Sequence, residues 1–193
     1  MKALACLALL VALTGCGSSV AAAPPGTPAP APTPTVTESE WNIDPSFNAT
    51  DLAWIELMIP MDDQLLRVLD LGQKQASAPA LREFAGKVAA GHRAEVAKFT
   101  ALRTTSGLPV RNPHEGHDMP GMMTEPEIET LTQATGASFD DSFRKNLKEH
   151  LDQTIILAAS ITRGAGKSPA AKKLAVSIQS TRAAQVKQLA AVG

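Results

Sequence analysis

Aromatic residues and cysteines are scarce in this sequence. Aromatic residues make up 4% of the 193 residues and tyrosine is absent, whereas alanine and leucine are abundant. This composition favours helices over β-sheet. The formal net charge is −1, so the charge does not indicate nucleic acid or an anionic membrane surface as a partner.

The chain begins with the pattern of an export signal. Lys2 is followed by an apolar run and then by LTGC at residues 13–16, and the run is shorter than the ~20 residues that span a bilayer. LTGC resembles a bacterial lipobox, which implies cleavage before Cys16 and lipidation of that residue, with palmitate among the acyl chains. Residues 1–15 are therefore predicted to be a lipoprotein signal peptide. A single uncleaved membrane helix is the alternative.

Cysteine chemistry is excluded if this prediction holds. Cys6 would leave with the signal peptide, and lipidation would block the thiol of Cys16. The mature chain would then have neither disulfides nor thiolate metal sites. Residues 16–46 comprise the lipidated cysteine and a tether rich in Pro, Ala and Thr, which cannot bury a core. We expect an exported protein, anchored to the cell membrane by lipid and facing the extracytoplasmic side.

Residues 47–193 are predicted to form an all-α four-helix bundle. Apolar residues recur there at three-four spacing, Pro79 and Pro169 are typical of first helical turns, and Thr124 with Glu127 forms a capping box. Pro60 predicts a kink in the first helix. The predicted helices run from about Thr50 to Leu71 with a stop at Gly72, from Ser77 to Thr105, from Thr124 to Thr135, from Ser138 to Gly164, and from Ser168 almost to the C-terminus.

An internal repeat relates the two halves of this region. Trp54 and Phe143 each lie seven residues before a potential metal ligand, Met61 or His150. The repeat predicts two helical hairpins, about 47–106 and 137–192, joined by a connector at 107–136 that is rich in His and Met. The other matched positions are Asp63-Gln64 with Asp152-Gln153, Pro79 with Pro169, and His92 and Glu95 with Arg182 and Gln185.

Polar residues interrupt the apolar stripes of all four long helices at a similar level. We call these six residues the polar layer: Asp62, His92, Glu95, His150, Arg182 and Gln185. Buried polar groups cost several kcal/mol unless they are paired, so we expect these side chains to meet.

Two interpretations of the polar layer remain open. In the first interpretation, the layer forms a metal site, as bundle cores often do, from Met61, Asp62, His92, Glu95 and His150. Alternatively it is structural, with Arg182 pairing Asp62 or Glu95 to fix the helix register. The permanent charge of Arg182 repels a second cation and favours the structural interpretation.

The main predicted metal site lies in the connector, in the sequence HEGHDMPGMM at residues 114–123. The site within the polar layer is the weaker, second one. Thioether sulfur with imidazole suits Cu(I), and imidazole with carboxylate suits Cu(II) or Zn(II). Glycine and proline in the stretch permit tight turns, but a closed zinc site without cysteine needs more histidine. The alternative is a solvated connector whose methionines pack on the bundle. The predicted ligands are His114, His117, Met119, Met122 and Met123, with copper favoured over zinc.

Several stretches resemble the ferritin-like domain of unknown function 305 family. They are LMIPMDDQ at 57–64, LREFAGKVAAGHRAEV at 81–96, HDMPGMMTEPEIETLTQATGASFDDSF at 117–143, and the final helix pair. The resemblance implies a ferritin-like four-helix bundle and, for some members, copper binding in the cell envelope. The family's His-His pair in each half is here Met61-Asp62 and His150-Leu151, and its Gln in the second and last helices is His92 and Arg182.

The sequence gives no indication of an enzyme. It shows no nucleophile beside a base, no phosphate-binding glycine loop and no open catalytic metal set. We expect a non-catalytic envelope lipoprotein that binds or sequesters metal, with copper as the expected ion and no nucleic-acid partner. The alternative is an interaction module that docks an unidentified envelope protein, with a structural polar layer and no metal.

Overall fold

The computed structural model describes residues 41–192, and these residues form helices without any strand. The all-α fold class predicted from the sequence is confirmed. The predicted signal peptide, the lipidated Cys16 and the tether up to residue 40 lie outside the described residues. The helices are α1 Ala49–Gln75, α2 Pro79–Ser106, α3 Glu125–Gln133, α4 Gly136–Ser160 and α5 Pro169–Ala191, with a π-helical turn at Ile161–Ala165 after α4.

The four long helices pack as two hairpins. Helix α1 packs along α2, and α4 packs along α5; contacts of α1 with α4 and of α2 with α5 close the bundle. The short helix α3 lies against α4. The connector therefore crosses between the hairpins, and its contacts reach the bundle interior.

Two helix starts agree with the sequence signals. The side chain of Ser168 accepts a hydrogen bond from the amide of Ala171, and Pro169 opens α5. Thr124 and Glu127 form the reciprocal capping box that begins α3. Pro60 lies inside α1, which runs without interruption to Gln75.

The prediction that α1 stops at Gly72 is wrong. The helix continues to Gln75 because Gly72 is a packing position, where a Cβ atom would collide with the ring of Phe143. Helix α2 begins at Pro79 rather than Ser77, because Ser77 is held by Asp140 outside the helix. Helix α4 begins at Gly136 rather than Ser138, and α3 ends at Gln133 rather than Thr135.

Two aspartates lock the hairpins together. Asp51 in the first turn of α1 accepts hydrogen bonds from the amides of Lys167 and Ser168, each at 2.9 Å, just before α5. Asp140 near the start of α4 accepts one from the amide of Ser77 at 2.8 Å, just before α2. Each hairpin thus supplies a carboxylate to the helix N-terminus of the other, where partial positive charge stabilises it.

The apolar core is divided into two clusters. One contains the stacked rings of Phe139 and Phe143, and the other contains the edge-to-face pair of Trp54 and Phe99. The polar layer lies between these clusters on every long helix. Its flanking core residues are Met61 and Leu65 on α1, Ala89 and Phe99 on α2, Leu147 and Ala158 on α4, and Ile178 and Leu189 on α5.

Candidate metal centre

Three donors of the polar layer converge between the helices. Asp62 and His92 are fully buried and His150 is 2% exposed. The Nε2 atoms of His92 and His150 lie 3.7 and 3.5 Å from Oδ1 of Asp62. One ligand atom from each of the three residues lies within 4.8 Å of the others. Helices α1, α2 and α4 each contribute one of them.

Backbone carbonyls orient both imidazoles. Nδ1 of His92 lies 3.0 Å from the carbonyl oxygen of Val88, and Nδ1 of His150 lies 3.0 Å from that of Gly121. Because a carbonyl only accepts hydrogen bonds, each Nδ1 must carry the proton. Each Nε2 atom therefore presents a lone pair towards Asp62. Histidine ligands of protein-bound metals are commonly held in this way.

Each of the three residues has a buried side-chain atom without a hydrogen-bond partner. Oδ2 of Asp62 and the Nε2 atoms of His92 and His150 are buried and unpartnered. Such atoms are expensive in a protein interior. Two imidazole nitrogens and a carboxylate oxygen also form a donor set that suits copper or another first-row transition metal. The residues therefore fit a metal ion.

Arg182 contacts the same group from α5. Its Nη2 atom lies 2.5 Å from Oε1 of Glu95 and 3.4 Å from Oδ1 of Asp62. The guanidinium also donates to Thr154 and Gln185. Sequence reasoning overlooked Thr154, although it lies one helical turn after His150 on the same face of α4. The pairing that the structural interpretation expected and the converging donors are thus both present.

Burial and Arg182 keep both histidines neutral. Burial, reinforced by repulsion from Arg182, lowers the pKa of His150 to about 3. The same two causes, followed by the charge of His150, place the pKa of His92 well below its usual value. Both Nε2 lone pairs are consequently available at neutral pH.

The two carboxyl groups are held in different protonation states near neutral pH. Burial raises the pKa of Asp62 to about 6, and Arg182 and a hydrogen bond with Glu95 oppose that rise. Burial and the charge of Asp62 raise the pKa of Glu95 to about 8 despite Arg182. At pH 7 the proton of this pair therefore resides mainly on Glu95.

Two other residues predicted for the bundle site lie outside the group of three donors. The carboxyl group of Glu95 is engaged by Arg182. Met61 is buried in the Trp54 cluster, and its terminal methyl group lies beside Gly121, 3.3 Å from where a Cβ atom would stand. Met61 therefore reaches the connector segment that orients His150.

The predicted ligands of the connector are distributed between a cleft and the core. The rings of His114 and His117 lie 6.0 Å apart and line a cleft of about 710 Å³ together with Asp63. Met122 and Met123 also line this cleft; Met122 packs against the Trp54 cluster, and Met123 is largely buried in the Phe143 cluster. Met119 is not among the residues lining the cleft.

The end of the connector is fastened over the polar layer. The side-chain amide of Gln64 accepts a hydrogen bond from the amide of Met123 at 2.7 Å and donates one to the carbonyl of the same residue. Gly121 supplies the carbonyl that orients His150. Arg67 of α1 forms two hydrogen bonds to Glu125, which follows directly. The segment 121–125 therefore covers His150 and fixes its orientation.

Comparison with known proteins places the chain in a family. The sequence profile of the domain of unknown function DUF305 matches residues 51–192. The chain belongs to the DUF305 family. Among curated proteins, none matches this DUF305 protein significantly.

Solved structures with the same fold include other DUF305 proteins. A DUF305 fragment from Deinococcus radiodurans is 16% identical, with a TM-score of 0.68 over 77% of this chain and 97% of its own. A DUF305 protein from Streptomyces coelicolor, described as secreted, is 17% identical, with a TM-score of 0.66 over 74% and 89%. CopM in its Cu(II)-bound form is 21% identical, with a TM-score of 0.61 over 72% and 92%.

Within residues 41–192, no helix combines the length and apolar character needed to cross a bilayer.

Proposed function

We propose that this DUF305 protein binds a copper ion through His92, His150 and Asp62 and handles copper in the cell envelope without catalysis. The observation that carries the proposal is the convergence of three buried side chains, each with an atom that lacks a hydrogen-bond partner, with both imidazoles oriented by backbone carbonyls. When bound, copper would satisfy these atoms and offset the cost of burying them.

The solved structures support copper as the ion. CopM, which shares the fold, is known in Cu(II)-bound, Cu(I)-bound and Ag-bound forms. Imidazole donors suit copper, and the soft side chain of Met61 lies beside Gly121, whose carbonyl group orients His150. We assign the bundle interior as the main site.

The exposed side of the connector is a weaker, second place for copper. His114, His117 and Met122 line one cleft that opens to solvent. An ion held there would be accessible to exchange with other carriers. Met123 also lines the cleft but is largely buried in the core, and Met119 does not line it.

We propose further that the protein is exported and anchored to the membrane through lipid on Cys16. The apolar N-terminal segment and its LTGC sequence support this proposal, as does the similarity to a secreted protein of the same fold. Copper handling in the envelope requires reversible binding rather than turnover.

The test is a titration of the full chain with Cu(I) in competition with a chromogenic chelator. All proteins carry Cys6→Ser and Cys16→Ser, because free thiols would bind Cu(I) themselves. One variant adds His92→Gln and His150→Gln. The matched connector variant adds His114→Ala, His117→Ala, Met119→Leu, Met122→Leu and Met123→Leu.

One ion bound per chain, lost in the bundle variant and kept in the connector variant, supports the proposal. Loss in the connector variant alone would move the site to the cleft. A reference protein that binds no copper would refute copper handling. It would favour the alternative of a tethered interaction module with a structural polar layer.

A further inference from the structure

We infer that Arg182 makes the buried site selective for a monovalent cation, Cu(I) or Ag(I), and excludes divalent ions. This inference rests on the proposed metal-binding function and names the ion class of the same site.

Arg182 and the candidate ligands share one oxygen atom. Oδ1 of Asp62 lies 3.4 Å from Nη2 of Arg182 and 3.5 Å from Nε2 of His150. An ion held by Asp62 and the imidazoles therefore lies close to a permanent positive charge. Water does not screen this charge, because Arg182 is 1% exposed. Since Coulomb repulsion scales with the charge of the ion, a divalent ion meets twice the repulsion of a monovalent one.

The charges of the layer disfavour a divalent ion more than a monovalent one. Two carboxyl groups, Asp62 and Glu95, face the single guanidinium of Arg182. The other buried carboxylates of residues 41–192, Asp51 and Asp140, are committed to helix N-termini. Asp62 balances Arg182 while Glu95 keeps its proton, so a monovalent ion adds one uncompensated buried charge and a divalent ion adds two, which is more costly.

The number of available donor atoms also favours a monovalent ion. Zinc in proteins takes four ligands in most sites, and Cu(II) prefers tetragonal coordination. Glu95 and Gln185 interact with Arg182, and the hydroxyl of Thr154 donates to the carbonyl of His150. Three donors then remain, Asp62 and the two imidazoles. Cu(I) and Ag(I) tolerate low coordination numbers, so the two imidazoles alone can hold either of these ions.

The internal repeat places Arg182 where the first hairpin has His92. The two positions lie on α2 and α5 and direct their side chains to the same layer. A histidine at this position would have added a third imidazole to the donor set. Arg182 instead supplies a fixed charge at the position of a potential ligand.

The experiment compares Ag(I) and Zn(II) binding by calorimetry. The background is the full chain with Cys6→Ser, Cys16→Ser, His114→Ala and His117→Ala, which removes the thiols and the exposed imidazoles. We expect this protein to bind one Ag(I) and to bind Zn(II) at least about a hundredfold more weakly. Arg182→Gln should reduce the ratio of Ag(I) to Zn(II) affinity at least tenfold. Arg182→Lys should preserve this ratio because the charge is retained.

Arg182→Gln leaves two carboxyl groups without a cation and could impair folding. The double variant Glu95→Gln/Arg182→Gln removes that imbalance, and circular dichroism checks that it folds. It should gain Zn(II) affinity while it keeps Ag(I) binding.

Unchanged selectivity in a folded double variant overturns the inference and leaves the proposed function intact. Comparable Ag(I) and Zn(II) affinities of the background protein also overturn the inference and leave the proposed function intact. A background protein that binds neither Ag(I) nor Cu(I) refutes the proposed function itself, and the inference with it.

Discussion

Arg182 lies 3.4 Å from Asp62, on the carboxylate oxygen that also faces both buried imidazoles. This contact joins a structural ion pair to a candidate metal centre. The two interpretations that the sequence left open are therefore not exclusive, because Arg182 engages the carboxyl groups and leaves the Nε2 atoms of both imidazoles without a partner. The remaining donors are oriented by the backbone and lack partners.

Removing Arg182 should destabilise the bundle strongly. Arg182→Met leaves Asp62 and Glu95 buried without their cation, which typically costs about 3–5 kcal/mol. Urea denaturation of the metal-free protein measures the change. Arg93→Met breaks only the exposed pair with Asp70 and should cost at most about 1 kcal/mol. Equal effects of the two substitutions would contradict the assigned importance of the buried pair.

Glu95 should make the metal-free protein less stable as the pH rises. Burial raises its folded-state pKa from 4.5 to about 8, so the folded state binds the proton more tightly than the unfolded state does. This contribution to the free energy of unfolding is complete below about pH 4.5 and is lost as the pH rises to 8. The denaturation midpoint of Glu95→Gln should fall less than that of the unsubstituted protein between pH 6 and 9. Parallel curves of midpoint against pH for the two proteins would disprove the effect.

Two glycines of the long helices should respond oppositely to alanine. Gly72→Ala places a methyl group against the ring of Phe143 and should destabilise the protein by about 1–3 kcal/mol, despite the better helix propensity of alanine. Gly91→Ala in α2 meets no atom within 4 Å and should stabilise it by about 0.5–1 kcal/mol. Thermal unfolding measures both. Stabilisation by both substitutions would show that the approach of α4 to Gly72 is wrongly described.

Gln64 should control access to His150. Gln64→Ala removes both hydrogen bonds that fasten Met123, so the covering segment 121–125 should open more often. We expect faster hydrogen exchange at the amide of Met123 and faster modification of His150 by diethylpyrocarbonate. Gln75→Ala, which removes an exposed contact to Thr132, is the control and should change neither rate. Identical rates in all three proteins would mean that the buried site opens elsewhere.

Local signals determined the number and type of the helices. Apolar spacing indicates helices wherever one face is buried, and the caps at Thr124 and Ser168 act within a few residues of themselves. The internal repeat and the interrupted apolar stripes were also sufficient to predict that the residues of the polar layer lie at one level of the bundle. The role of Gly72 could not be predicted in this way. A glycine that makes space for the ring of Phe143 looks the same in the sequence as a glycine that ends a helix.

The sequence by itself determined an all-α bundle of two hairpins with polar residues in its interior. Only the tertiary structure decided which donors converge. Gly121 comes from the connector to orient His150, and Glu95 is bound to Arg182 across the bundle rather than directed to a metal. These contacts join residues far apart in the chain, so their geometry depends on how the helices pack. No spacing along one helix encodes them.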